Sequence, residues 1–257
     1  MGLERLKLTA FVLRTVDYGE SDRVVTLLSR ERGKVSAFAR GARASRRRFG
    51  GALEPFTLLA AEVRVRHGSD LLGLDGVAVL RGYGRIRADL ARIACAAYAV
   101  ELSRELVKDA EPHDELFELL EAYLDLLEAA PARPAALRAF ELWALRAAGL
   151  APRLDACACC GGELDGAARA VRFDPGHGGA LCAACARTVP IAPLLSRSAA
   201  DALARLQQGG LPAAAEPLSP TAGRELRDAL GAFLAHHLGR TLSARRFLDE
   251  IGGTLGG

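Results

Sequence analysis

Long apolar runs are missing from this sequence. None approaches the roughly 20 residues that a helix needs to cross a bilayer, so no transmembrane helix is predicted. The first ten residues carry Glu4, Arg5 and Lys7 and hold no apolar segment with a small-residue cleavage site, so no secretory leader is predicted either. Gly2 is followed by Leu6 where N-myristoylation would need Ser or Thr. The expectation is a soluble, cytoplasmic protein. Nucleotide-hydrolysis and hydrolase signatures are also absent. There is no Gly-x-x-x-x-Gly-Lys-Ser/Thr loop and no Gly-x-Ser-x-Gly elbow, and Gly82-Tyr-Gly84-Arg-Ile-Arg87 lacks the third glycine of a dinucleotide fingerprint. Aromatics are few at 5%, and Lys7, Lys34 and Lys108 are the only lysines. Coding bias in a GC-rich genome accounts for the high Arg/Lys ratio as well as phosphate binding would, so the ratio carries no functional weight.

A disulfide framework is missing too, despite six cysteines. Five fall between 157 and 185 in paired spacing, and Cys95 stands alone in a helical pattern, where it reads as a buried apolar residue. The spacing is Cys157-Ala-Cys-Cys160, then 21 residues, then Cys182-Ala-Ala-Cys185. Two residues between cysteines let the backbone turn so that both thiolates face one metal, and Gly161-Gly162 eases the first turn. Two such pairs predict a tetrahedral, structural Zn2+ held by Cys157, Cys160, Cys182 and Cys185, with no open position for catalysis. Cys159 is an alternative within the first pair and otherwise a spare thiol; His177 is an alternative ligand. A zinc deaminase would pair His-x-Glu with Pro-Cys-x-x-Cys. His113-Asp114-Glu115 supplies the first half, but Ala156 and Leu181 stand where proline is needed, and the acids fit a helix N-terminus.

What the chain does have is half its residues apolar, enough over 257 residues for a substantial core. The first 80 residues read as strands: Thr9 to Val16, Asp22 to Ser29, Lys34 to Arg40, Leu58 to Arg66 and Leu71 to Leu80, separated by turn signals such as Tyr18-Gly19-Glu20-Ser21. Five short strands predict a small closed barrel of OB type, which binds oligonucleotides on one face. After Gly84 the apolar spacing becomes helical: 85–107, 114–129, 135–148, 196–208, 221–238 and 243–251, with 209–220 as a linker. The predicted class is α+β, with an OB-fold domain at 1–80 and a helical domain at 81–257 carrying the zinc module at 155–190.

Charge divides the same way. Residues 1–80 hold 14 basic against 9 acidic residues, and residues 81–257 hold 20 against 22. Within 30–48 there are eight basic residues and one acid. Residues 41–51 read as a mobile loop flanked by glycines, whose arginines contact phosphates without sequence register. The predicted nucleic-acid residues are Lys34, Arg40, Arg43, Arg46, Arg47 and Arg48, with Phe38 sharing the exposed face of its strand as a base-stacking candidate.

Several stretches together resemble one family. They are Tyr18-Gly-Glu-Ser-Asp-Arg-Val-Val-Thr-Leu-Leu28; Gly33-Lys-Val-Ser-Ala-Phe-Ala-Arg-Gly-Ala-Arg43 with Ser45 through Phe56; Arg138-Ala-Phe-Glu141 with Leu145, Gly149, Pro152, Leu154, Asp155 and Cys157 to Gly161; Gly178-Gly-Ala-Leu-Cys182 with Cys185; and His236-His-Leu-Gly-Arg-Thr-Leu-Ser243 with Phe247-Leu248. In this order and at these spacings they are similar to the RecO family of recombination mediators. The resemblance implies an N-terminal OB-fold, a helical C-terminal domain and a zinc module. It implies a non-enzymatic DNA repair protein that binds single- and double-stranded DNA and anneals complementary strands. It further implies action with RecR to load RecA onto DNA coated by single-strand-binding protein, contact with that protein's acidic C-terminal tail, and a nucleoid-associated location. The metal role carries over to the four paired cysteines and the DNA role to the basic positions of 33–49. Cys159 and 209–217 match no part of the pattern. Two other classes share the charge and cysteine features: a zinc-ribbon RNA-binding or transcription-associated factor, and a non-catalytic interaction scaffold.

Overall fold

The computed structural model describes residues 4–45, 47–65, 68–189 and 191–250. Five strands form a closed barrel in the order β1-β2-β3-β5-β4: β1 (Glu4–Tyr18), β2 (Asp22–Ser29), β3 (Gly33–Ala39), β4 (Leu58–Val65) and β5 (Leu71–Arg81). All pairs are antiparallel except β3 with β5, where Ser36, Ala37 and Phe38 lie opposite Leu71, Leu72 and Gly73. This is the five-stranded OB barrel predicted from the alternation. In β3, Val35, Ala37 and Ala39 point inward against Ala10, Val25, Leu59 and Leu74. Alanines at this density suit a narrow barrel, where larger residues would not fit.

Helices α1 (Gly84–Arg87), α2 (Leu90–Leu106) and α3 (Asp114–Ala129) follow. The predicted helix 85–107 is broken because the Asp89 carboxylate caps a new start, accepting from Arg92 N at 2.9 Å. The barrel and these helices form one compact unit, Met1–Ala129, so the unit extends well past the barrel itself. The cause lies in β1. Ala10 and Val12 face the barrel interior, which turns Phe11 outward, and Phe117 of α3 covers it with ring centroids 5.1 Å apart. Arg30 reaches Glu118 (3.1 Å) and Glu121 (3.3 Å) on the same helix.

One glycine in this unit is held by a close backbone approach. Gly33 has φ +63°, and a Cβ there would lie 1.8 Å from the carbonyl oxygen of Glu111, in a segment that bridges onto β3 through Lys34 and Asp109. Gly33→Ala is expected to lower the thermal midpoint of this unit by about 5 °C, from roughly 2 kcal/mol of strain. Calorimetry checks this; an unchanged midpoint would mean that residues 109–111 move aside at no cost.

The second unit, Ala130–Gly257, contains α4 (Pro134–Ala147), β6 (Ala170–Asp174), β7 (Gly179–Leu181), α5 (Ala183–Ala186), β8 (Leu194–Ser196), α6 (Arg197–Ala213), α7 (Pro220–Leu238) and α8 (Ser243–Glu250). The three short strands pair antiparallel in the order β7-β6-β8. Phe173 of β6 packs on Phe233 of α7, with centroids 5.6 Å apart. The predicted linker at 209–220 begins too early. Helix α6 turns sharply at Gly210 (φ 59°, ψ −146°) and continues to Ala213. A Cβ at Gly210 would lie 2.7 Å from the Trp143 ring, whose Nε1 donates to the Leu206 carbonyl at 3.2 Å. Pro212 falls at the start of the renewed turn, where its missing N–H leaves no helical bond unmade.

Candidate nucleic-acid interface and metal centre

Arg40 leaves the end of β3 exposed to solvent, and the chain then folds into successive turns. Ser45 N donates to the Gly41 carbonyl at 3.0 Å and Phe49 N to the Ser45 carbonyl at 3.2 Å. Phe49, 3% exposed, inserts into the barrel core together with Ala42, and Val77 N of β5 donates to the Arg48 carbonyl at 3.1 Å. The loop read as mobile is therefore pinned, and Gly41, Gly50 and Gly51 (φ 65°, 45° and 80°) serve left-handed turns rather than hinges. One apolar side chain among the basic ones anchors the segment.

The pinned loop holds its cations at the surface. Arg43 is exposed, with Nη1 donating to the Glu20 carbonyl at 3.0 Å and Nε 3.8 Å from the Asp17 carboxylate. Arg48 donates from Nε to Ser45 Oγ (3.2 Å) and from Nη2 to the Arg40 carbonyl (2.6 Å), and its guanidinium lies over the Phe49 ring at 4.9 Å. Arg47 is exposed, and Arg46 lies outside the described residues. A guanidinium has five N–H donors, so these contacts orient Arg43 and Arg48 and leave donors for an anion. Asp17 and Asp22 are the carboxylates at this end, and Asp22 is tied to the loop backbone. The Gly41 N–H, 2.7 Å from Oδ1, holds it below the usual carboxylate range against the opposing effect of burial, helped by the Ser21 hydroxyl and by Arg40.

Lys34 is placed differently. It lies at the opposite end of β3 from Arg40, and its ammonium is engaged by the Arg104 carbonyl (3.1 Å) and the Asp109 carboxylate (3.2 Å). Its side chain is 18% exposed, and it ties β3 to the segment after α2. Phe38 does lie on the outer face, half-buried, edge-on to Tyr18 with centroids 5.7 Å apart and planes at 81°. Tyr18, which the sequence reading places in a turn signal and not among the nucleic-acid residues, belongs to β1.

The four paired cysteines converge, with their sulfurs all within 4.8 Å of one another. Cys160 and Cys182 Sγ are 3.9 Å apart, close to the separation of about 3.8 Å that tetrahedral ligation with zinc–sulfur bonds of ~2.3 Å requires. The first turn closes through Gly161 N to the Cys157 carbonyl and Cys157 N to the Gly162 carbonyl, both 2.8 Å. The second uses Cys182 as the residue preceding α5. Ala158 N donates to the Ala180 carbonyl at 2.8 Å and joins the two turns. Burial pushes the Cys157 thiol up, but backbone N–H groups of Cys182, Cys160 and Cys159 outweigh this and hold it down to about 6. A sulfur in that setting is prepared as a thiolate ligand. Cys159 is exposed and stands outside the group of four. His177 stands outside it too, with Nδ1 2.6 Å from the Asp174 carboxylate, which also accepts from the His177 backbone N–H. The cluster is therefore a closed set of four thiols able to hold a metal ion.

Comparison with known proteins points to one family over both units. The family model for the recombination protein O N terminus matches residues 1–83, and that for the recombination protein O C terminus matches residues 87–246. The chain belongs to the RecO family. A "DNA repair protein RecO" of Anaeromyxobacter sp. (strain K) is 72% identical over 255 residues, covering 99% of this chain and all of the relative. The RecO of Myxococcus xanthus is 49% identical over 256 residues (97% of this chain, 99% of the relative). The RecO of Geobacter sulfurreducens is 42% identical over 247 residues (96% and 98%). The join between the two RecO models, at 83–87, falls at α1, immediately after the barrel's last strand. Among the described residues no helix is long and apolar enough to cross a membrane.

Proposed function

We propose that this chain is a non-catalytic DNA repair and recombination mediator that binds single- and double-stranded DNA and anneals complementary strands. The observation that carries this reading is the row of exposed arginines at one end of the barrel, Arg40, Arg43, Arg47 and Arg48, on a loop pinned into the core by Phe49. Arg46 belongs to the same basic run. A fixed row of guanidiniums neutralises phosphates of two strands and lets them approach, a step that needs no hydrolysis and hence no ATP. Membership of the RecO family supports a cytoplasmic, nucleoid-associated setting. It also supports action with RecR in loading RecA onto DNA coated by single-strand-binding protein, through contact with that protein's C-terminal tail. Lys34 enters only as a tie that holds β3 in place. Cys157, Cys160, Cys182 and Cys185 would hold Zn2+; four thiolates leave the ion no open position, so it supplies stability rather than chemistry.

The test is strand annealing by the purified chain without ATP, on complementary oligonucleotides bare and then coated with single-strand-binding protein. Acceleration is expected in both cases. The combined variant Arg43→Ala, Arg46→Ala, Arg47→Ala and Arg48→Ala is expected to weaken oligonucleotide binding while remaining folded. Its salt dependence should flatten by about 0.7 in log–log slope for each phosphate that is no longer neutralised. Wild-type affinity that ignores salt would reject the electrostatic account, and a marked preference for RNA would favour a transcription-associated role.

A further inference from the structure

The outer face of β1, β2, β3 and β5 follows from the strand registers. Val16 lies opposite Val24, Val24 opposite Phe38, and Phe38 opposite Gly73. One row away, Arg14 lies opposite Thr26, Thr26 opposite Ser36, and Ser36 opposite Leu71. On the other side Tyr18 lies opposite Asp22, which is influenced in turn by Arg40. The intervening residues Val25, Ala37, Ala39 and Leu72 line the barrel core, so these rows point outward.

This face is apolar and hydroxylic, with exposed Arg14 at one end and exposed Arg40 at the other. Asp22 already accepts from the Gly41 backbone and the Ser21 hydroxyl, and Asp75, two residues past Gly73 on β5, is paired with Arg64 at 2.6 Å. Among the described residues the exposed large hydrophobics number eight, and three of them fall here: Val16 at 43%, Tyr18 at 62% and Leu71 at 37%. Tyr18 is also the one exposed Phe, Tyr or Trp among the described residues. Its edge-on contact with Phe38 fixes its orientation, so a planar ligand stacking on it need not immobilise a free side chain. A rigid exposed ring between two cations is the arrangement that takes an unpaired nucleobase while its flanking phosphates are neutralised.

We propose that Tyr18 is a base-stacking residue and that the face between Arg14 and Arg40 is the track of a single nucleic-acid strand, with Phe38 as the inner support of the ring. This rests on the DNA-binding reading above and adds to it a distinction between strands. In a duplex the base faces are already stacked on one another, so Tyr18 has nothing to receive. The arginines of 40–48 meet phosphates of either form.

The test uses the full chain with labelled oligo(dT) and a duplex of equal length. Tyr18→Ala is expected to weaken oligo(dT) binding about tenfold and to leave duplex binding nearly unchanged, while Tyr18→Phe retains wild-type affinity for both. Tyr18→Trp gives a signal that a merely structural role would not produce: its indole emission is quenched when oligo(dT) binds, beyond any change in the wild-type chain, whose one tryptophan is Trp143. Normal oligo(dT) affinity of Tyr18→Ala, alongside weakened binding by the arginine variant, would overturn the stacking role and leave the DNA-binding reading standing. Equal weakening on both nucleic acids would also overturn it, since it would show that Tyr18 only maintains the face. Wild-type chain that binds neither would overturn both readings.

Discussion

Replacing Cys182 by Ser is expected to abolish stoichiometric metal binding and to open the segment from Ala156 to Thr188 to proteolysis, with the barrel left intact. The effect is large because little else holds this segment. Between Leu150 and α6 the regular elements are three strands of three to five residues and the single turn of α5. Of the four cysteines only Cys157 is buried; Cys160 is exposed and Cys182 and Cys185 are half-buried. A site that binds zinc through four thiolates contributes on the order of 10 kcal/mol in small metal-dependent domains, and binding and folding are then one event. Removing one thiolate forfeits most of that energy and leaves the other three sulfurs crowded without a counter-charge. Metal analysis and limited proteolysis of wild-type and Cys182→Ser chains are the measurements, repeated with Cys182→Ala because serine is itself a weak ligand. Because the basic loop belongs to the Met1–Ala129 unit, oligonucleotide affinity should change by less than about threefold. A metal-free variant that resists protease like wild type would refute the structural role of the metal.

The barrel and the four-cysteine cluster were legible in the sequence because each rests on a local rule. Alternation in Lys34 to Arg40 identifies the inward face of β3 without knowledge of its partners. Two Cys-x-x-Cys pairs identify a tetrahedral set without knowledge of the connecting chain. What escaped depends on partners remote in sequence. Phe49 looks like one apolar residue in an arginine-rich loop, and only closure of the barrel shows that it plugs the core. Lys34 looks like its basic neighbours until Arg104 and Asp109, some seventy residues on, are brought against it. Tyr18 sits beside a Gly-Glu-Ser turn signal, which hides that β1 runs to its end and turns the ring outward. The break at Gly210 requires the Trp143 ring as a neighbour. Composition carries none of these pairings.

Glu141→Gln is expected to cost the second unit roughly 3–5 kcal/mol, lowering its thermal midpoint by about 10 °C or more. Glu141 is fully buried in α4, and two guanidiniums share its carboxylate: Arg138 Nη1 at 3.2 Å on the same helix and Arg245 Nη1 at 3.8 Å from α8. Arg245 is 8% exposed; it also pairs with Asp249 at 3.2 Å and donates to the Arg227 carbonyl of α7 at 2.8 Å. A Cβ on Gly231 would lie 2.9 Å from Arg245 Nη2, so the guanidinium passes close over α7 at this glycine. The amide of Gln keeps the shape of Glu141 and removes its charge, leaving two buried cations without the carboxylate they share. Burying ions is costly in itself, so the cluster contributes specificity of assembly more than net stability. That distinction is measurable. Arg138→Met, Glu141→Leu and Arg245→Met together should be far less destabilised than Glu141→Gln alone, because the triple variant leaves no buried charge uncompensated: Asp249, which loses its partner, is exposed to solvent. If the single amide variant melted like wild type, or the triple variant were the worse of the two, charge balance would not be what joins α8 to α4 and α7, and packing of the long side chains would have to carry that role instead.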